Sequence, residues 1–372
     1  MGFKCGIVGL PNVGKSTIFN AITNAGAASE NYPFCTIDPN IGRVDVPDAR
    51  LGQIQSVIPC QKIIPASMEF VDIAGLVKGA SKGEGLGNQF LSHIRSTDAI
   101  AHIVRCFDDN DITHVEGNVN PTRDIEIIET ELIFADNETV EKTLTRYQKL
   151  AKSGKKEIPK IVTMLEALTK HLQELKPART FDITPFVQDL QEVQFAFRDL
   201  HLITEKKVVY VCNVDEDMAA GNKDNPYTLE VKAHAAKEGA GTVIVSGKIE
   251  QEISVLDEAD KKEMFADLGL SEPGLNRLIR KGYEILGLQN YFTAGEKEIR
   301  AWTINVGTKA PQAAGVIHSD FERGFICAEV YQVPDLLKAG SKAKLKEQGL
   351  LKIEGKEYIV KDGDVMEFRF NV

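Results

Sequence analysis

The sequence predicts an α/β fold, a doubly wound sheet built around a phosphate-binding loop, and three observations predict it. An apolar run, Cys5–Val8, leads into Gly9-Leu10-Pro11-Asn12-Val13-Gly14-Lys15-Ser16-Thr17 and then into a helical pattern through Ile18, Phe19 and Ile22. A second apolar run, from Met68 to Ile73, carries Asp72 and is followed by Gly75. Two later runs, Val208 to Cys212 and Thr242 to Val245, each end in a short polar loop. Strand, glycine loop and helix in that order are the context that the GxxxxGK[ST] motif of P-loop NTPases requires.

The first of these stretches organises the rest. Glycines let the backbone curl around a phosphate while successive N–H groups point inward as an anion nest. The helix N-terminus adds partial positive charge. Asn12, Val13, Gly14, Lys15, Ser16 and Thr17 are therefore the candidate phosphate binders. Lys15 is expected to reach the β- and γ-phosphates, and the Ser16 hydroxyl to ligate Mg²⁺. Asn12 is a candidate seat for a K⁺ ion beside the phosphates, as in other switch NTPases with Asn at this loop position.

Composition bounds the remaining choices. The 372 residues are enough for two or three domains. Apolar content of 43% and charged content of 26% are ordinary for a globular chain. No apolar run approaches the ~20 residues of a membrane span, so no membrane partner is expected. The first residues read as the nucleotide strand, so no signal peptide is expected. Cys5, Cys35, Cys60, Cys106, Cys212 and Cys327 show no metal-type spacing and suit free thiols in a reducing cytoplasm. A net charge of −10 argues against general polyanion binding, so any nucleic-acid contact needs a local basic face.

Taken in order, the loop Asn31–Pro39 follows the first helix. A lone threonine there, Thr36, is what a γ-phosphate sensor needs: its hydroxyl for Mg²⁺, its N–H for the phosphate. Cys35 beside it reads as a packed thiol rather than a redox-sensitive one. Ile41 to Val46 reads as a strand. Met68 to Gly75 reads as a Walker-B-type strand, with Asp72 holding Mg²⁺ through water and the Gly75 N–H touching the γ-phosphate. Leu76 follows where Ras-type enzymes carry a glutamine that orients water; leucine has no donor or acceptor, so slow hydrolysis or another polar group is expected. The glycine-dense stretch 78–87 comes next. Ala99 to Phe107 is a further buried strand. His114, in the loop behind it, can orient or deprotonate water, or simply sit in solvent.

From about Ile125 to Leu202 the pattern turns helical. Val140, Leu144, Tyr147 and Ala151, then Ile161, Leu165, Leu168, Leu172 and Leu175, follow coiled-coil spacing. Lys152 to Pro159 reads as the turn of an inserted antiparallel helical hairpin. Lys149, Lys152, Lys155, Lys156 and Lys160 make its tip basic, a solvated end or an RNA or ribosome contact. Beyond it, the Asn213-Val214-Asp215-Glu216 loop departs from the NKxD form of guanine-specific proteins: the lysine is Val214, and the aspartate is Glu216. A misplaced acceptor costs guanine selectivity, so ATP is expected over GTP, with Asn213 and backbone groups at Val214 reading adenine. Ser246 opens the neighbouring loop. From about Gly282 the chain alternates as a small β domain, with strands at 301–306, 326–330, 358–360 and 365–370 and a basic middle at Lys338, Lys342, Lys344, Lys346, Lys352 and Lys356.

These strings together resemble the Obg-like ATPase family known as YchF. The resemblance rests on Gly9 to Thr17, Asn31 to Ile37, Asp72 to Ala80, the Asn213 loop, Trp302-Thr303, His318 to Phe321 and Asp362 to Val365. It implies a Mg²⁺-dependent ATPase with an inserted coiled coil, a C-terminal TGS domain of β-grasp fold, and association with ribosomes. It also implies that Val214 contacts adenine, that Leu76 stands in for glutamine, and that His114 is catalytic. The expected domains are 1–124 with 203–281 for nucleotide, 125–202 for the helical insert and 282–372 for the TGS domain, in a monomeric cytoplasmic protein. An ordinary GTPase and a non-hydrolysing, nucleotide-gated ribosome or RNA adaptor remain the alternatives.

Overall fold

In the computed structural model of the chain, residues 3–27, 41–73, 86–109, 111–151, 157–187, 191–219 and 223–371 are described. Thr36, Cys35, Gly75, Leu76, Lys152, Lys155 and Lys156 lie outside them. The strands are β1 (Phe3–Val8), β2 (Ile41–Asp45), β3 (Lys62–Ile64), β4 (Ser67–Asp72), β5 (Ala99–Arg105), β6 (Lys207–Asn213), β7 (Gly241–Val245), β8 (Leu288–Ala294), β9 (Glu298–Asn305), β10 (Phe325–Gln332), β11 (Lys352–Glu354) and β12 (Asp364–Phe370). Among the described residues they form two sheets, ordered β2-β4-β1-β5-β6-β7 and β11-β10-β12-β8-β9-β3.

The chain separates into two compact units, 1–44 with 69–281 and 45–68 with 282–372. In the first, β1 pairs parallel with β5, β5 with β6, and β6 with β7. Every residue of β5 is buried, and all of β6 after Lys207. Strands covered on both faces are apolar along most of their length, which is why these runs show no alternation. β1 lies between β4 and β5, and ligands of such sheets bind beyond the carboxyl ends of the strands at the point where the order reverses.

The helices Pro121–Leu150 and Glu157–Gln173 pack on each other within this unit. Ile133 and Val140 share one buried cluster with Ile161, Met164, Leu165, Leu168 and Leu172. Leu175 departs from the expected seam. The helix ends at Gln173, and Leu175 takes a left-handed φ of 56° and is 52% exposed. Ala151 is exposed as well. The returning chain is fixed by Asp136, whose buried carboxylate accepts from the N–H groups of Ile203 (2.8 Å) and Thr204 (2.7 Å) and from the Thr204 hydroxyl.

The second unit differs from the sequence expectation at one boundary. Residues 45–68, read above as part of 1–124, pack with 282–372. β3 extends the second sheet by pairing parallel with β9. Arg50 grips Asp362 with both nitrogens (2.6 and 3.2 Å) and lies over the Phe292 ring. The expected strand at 358–360 is an isolated bridge between Ile359 and Lys309. β8, which the sequence reading omitted, lies inside the sheet between β12 and β9. Asp364, fully buried, accepts from Tyr358 (2.9 Å), Lys361 N–H (2.8 Å) and Gln332.

Candidate functional site

The phosphate loop follows β1 and is held by conformations that its sequence allows. Gly14 has φ +94°, and a Cβ there would lie 2.2 Å from Asn213 Nδ2. A Cβ on Gly9 would lie 2.5 Å from the Ile103 carbonyl oxygen. Asn12 has φ 61°, in the left-handed region that Asn tolerates better than most residues. Its Nδ2 donates to the Thr113 carbonyl at 3.2 Å.

Asn213 is the clamp of the site. Its Nδ2 donates to the Val13 carbonyl at 2.9 Å, and its Oδ1 accepts from the Gly247 N–H at 2.9 Å. It thus ties the phosphate loop to the loop behind β7. Both ends of the amide are engaged, and the Val214 N–H donates to Val245 at 2.9 Å. In this structure the Asn213 side chain and the Val214 N–H build the walls of the site, and other backbone groups at Val214 remain beside the cavity. Ser246 is buried and caps the helix Gly247–Ser254 through Ile249 N–H.

A cavity of about 370 Å³ opens beside this clamp, and Asn12, Gly14, Thr17, Val214, Glu216 and Ser246 contribute to its lining. Val13 and Lys15 are buried next to it in the loop, and Ser16 is exposed. Lys15 Nζ donates to the Leu10 carbonyl at 2.7 Å. Burial lowers the Lys15 ammonium to about 8, while the Asp72 carboxylate opposes that shift. Burial raises Asp72, with Lys15 pulling it back. The lysine and the expected metal-binding aspartate thus sit in each other's field.

Two residues that the sequence reading passed over shape the cavity. Arg105, at the end of β5, is buried and donates to the carbonyls of Phe107 (3.1 Å), Asp109 (3.1 Å) and Ile112 (2.9 Å). It holds the loop that forms one wall. An arginine closing a strand whose only other polar residue is His102 was the signal for it. Lys248 pairs with Glu216 at 2.6 Å across the lining. Nothing local announces that contact, because the partners lie on different loops.

His114 is not a solvent-exposed loop residue. It is buried, with Nε2 2.9 Å from Asp124 Oδ2 and Nδ1 accepting from the Glu116 N–H at 3.1 Å. An Nδ1 that accepts leaves Nε2 to donate. Arg123 donates to the other oxygen of Asp124. In this geometry Nε2 serves the start of the helix Pro121–Leu150 and Nδ1 the loop before it at Glu116, and neither is presented to water. His114→Ala is expected to lower stability by about 1–3 kcal/mol by leaving buried partners unpaired. Urea denaturation reads this; an unchanged midpoint with reduced turnover would return His114 to water activation.

The fold and this site define a P-loop nucleotide-binding protein of the GTPase type. Residues 4–149 match the family described as 50S ribosome-binding GTPase, and residues 288–371 match the YchF-GTPase C-terminal family, described as a protein of unknown function (DUF933). The chain is 53% identical, over the full length of both, to the ribosome-binding ATPase YchF of Bacillus subtilis, and also 53% identical to that of Escherichia coli O157:H7. It superposes on the YchF GTPase of Schizosaccharomyces pombe with a TM-score of 0.86 at 39% identity, covering 99% of this chain and 98% of the other. A GTP-binding protein of Pyrococcus horikoshii, 16% identical with a TM-score of 0.62, shares the fold. The chain belongs to the YchF family.

Proposed function

We propose that this protein is a Mg²⁺-dependent ATPase that hydrolyses ATP slowly to ADP and phosphate and works on the ribosome. The observation that carries the base preference is the Glu216–Lys248 pair at the cavity lining. A guanine site needs a free carboxylate to accept from N1–H and the 2-amino group. Here the candidate carboxylate is one methylene too long and is held by an ammonium, so guanine gains no acceptor, while adenine, which lacks both the N1–H and the 2-amino group, needs no carboxylate there. The relatives named ribosome-binding ATPase support the ribosomal half of the reading.

The donor set suits magnesium. Ser16 supplies a hydroxyl and Asp72 a carboxylate, hard oxygens that leave positions for water and phosphate oxygens. Mg²⁺ bound there would neutralise charge on the β- and γ-phosphates. Lys15 would pair with the same phosphates, and the N–H groups of Val13 to Thr17 would cradle them. Thr36 and Gly75 would complete the contacts to the γ-phosphate. Leu76 offers water no polar contact and His114 is occupied by Asp124, which together favour slow turnover. K⁺ beside Asn12 is a further element of the same proposal, and equal rates in K⁺ and Na⁺ would remove it.

The ribosomal contact is assigned to the exposed lysines of the helical insert, Lys149 and Lys160, and to Lys338, Lys344, Lys346, Lys352 and Lys356 of the C-terminal part. Lys342 is excluded, since it pairs with Glu329 and Glu367. The insert is read as a coiled coil and the C-terminal part as a TGS domain, in a monomeric cytoplasmic protein. No helix among the described residues is long and apolar enough to cross a membrane.

Steady-state phosphate release, with ATP and with GTP and with and without ribosomes, tests the proposal. Slow release from ATP, slower release from GTP and a rise with ribosomes are expected. No release under any condition would leave the nucleotide-gated adaptor. Lys248→Met would free Glu216 and is expected to tighten GTP roughly tenfold, the scale of one charged hydrogen bond. Fluorescent-nucleotide displacement measures it; an unchanged GTP affinity would remove the pair from base selection.

A further inference from the structure

Away from the nucleotide cavity, three side chains of the first unit converge without an assigned task. His234 and Glu238 lie four residues apart, on one face of the helix Pro226–Glu238. Glu129 comes from the helix Pro121–Leu150. Their side chains are only 13%, 8% and 13% exposed, in that order. Each carboxylate divides its oxygens. Glu129 Oε1 and Glu238 Oε2 take Arg179 Nη2, the latter at 2.7 Å, and Tyr210 OH also donates to Glu238 Oε2 at 3.2 Å. The other two oxygens, Glu238 Oε1 and Glu129 Oε2, face His234 Nε2 at 3.5 and 4.0 Å.

Nε2 itself is buried and makes no hydrogen bond. A hydrogen bond to it would place a carboxylate oxygen at about 2.7–3.2 Å, shorter than either separation here. The observed separations instead suit donor atoms around a cation bonded to each at roughly 2.0–2.2 Å. All three donors lie within 4.8 Å of one another. Charge points the same way. Arg179 neutralises one carboxylate and leaves the second facing the His234 ring. The ring is already aimed, because Tyr210 stands edge-on to it at 5.5 Å and 85°. Arg179 and Tyr210 then act as the outer partners that orient carboxylate ligands.

We propose that Glu129, His234 and Glu238 form a binding site for a divalent transition-metal ion, Zn²⁺ by its donor set of one imidazole and two carboxylates. The ion pins the helix Pro121–Leu150 to the helix Pro226–Glu238. None of the three residues lines the nucleotide cavity, so the site stands whether or not ATP is the substrate.

The test titrates Zn²⁺ into the chelator-stripped full chain, in excess Mg²⁺, by calorimetry, with the melting temperature followed in parallel. One equivalent of bound Zn²⁺ and an upward shift in melting temperature are expected. His234→Ala is expected to lose both while still binding Mg–ATP. Absence of binding by the parent, or the same stoichiometry in His234→Ala, overturns the proposal. Should that variant fail to fold, Co²⁺ absorption of the parent decides. Visible d–d bands without a thiolate charge-transfer band support the site, and a thiolate band assigns the ion to cysteine and overturns it.

Discussion

Lys15→Ala is expected to weaken Mg–ATP binding at least a hundredfold and to leave the nucleotide-free protein as stable as the parent, or more so. The two halves of this expectation share a cause. Lys15 is 8% exposed, and burial lowers its ammonium to about 8. Among the described residues its Nζ donates to a carbonyl, at Leu10. A desolvated charge with so little compensation contributes nothing to the folded state, so its removal is not a loss to folding. The phosphates are the missing compensation. Hydrogen bonds to charged groups are worth about 1.5–3 kcal/mol each, and contacts to two phosphates come to about 3–6 kcal/mol, two to four powers of ten in affinity. Calorimetry and urea denaturation on the same preparations separate the two effects. A variant that loses stability along with affinity would make Lys15 a structural residue.

Gly14→Ala is expected to destabilise the protein by about 2–5 kcal/mol, from strain at a positive φ and from a broken buried hydrogen bond. The new Cβ would lie 2.2 Å from Asn213 Nδ2, the atom that donates to the Val13 carbonyl. Pushing Asn213 aside also frees the Gly247 N–H, so the phosphate loop and the loop behind β7 lose their common tie. Nucleotide binding should fall with stability here, in contrast to Lys15→Ala. A cycle with Asn213→Ala locates the cause, since changes acting on one contact are not additive. The double variant should be little worse than the worse single one. Full additivity, or a single-variant loss below about 0.5 kcal/mol, would contradict the clamp.

What the sequence disclosed was local. The phosphate loop is nine consecutive residues whose glycines act through their own backbone and whose lysine side chain sits at a fixed place among them, so spacing suffices to read it. β5 and β6 are legible because burial on both faces leaves long apolar runs, interrupted by His102 and ended by Arg105 and Asn213. β8 was missed because its polar members are buried: Asn290 accepts from Thr303 (3.2 Å), and its N–H donates to Asp362 (3.0 Å). Contacts of this kind leave no pattern in hydropathy. The same holds for residues 45–68, whose place in the second unit depends on a three-residue strand, β3, and on Arg50 meeting a residue 312 positions away. In the site, the sequence pointed to Asn213 as a reader of the base, and the structure places its amide between two loops. The two partners that occupy its amide, Val13 and Gly247, come from separate loops and are visible only in three dimensions. His114 was placed in the right loop, and its burial follows from Asp124, a residue of the next helix. Leu175 continued a leucine spacing past the point where the backbone had left the helix.

The central claim is that the cavity beside Asn213 takes Mg–ATP in preference to Mg–GTP. Calorimetric competition between the two nucleotides for the same protein tests it most directly, with Lys15→Ala as the blank. The account predicts ATP binding at least tenfold tighter than GTP and no heat from the blank. GTP binding tenfold tighter than ATP, or equal heats from parent and blank, would contradict it.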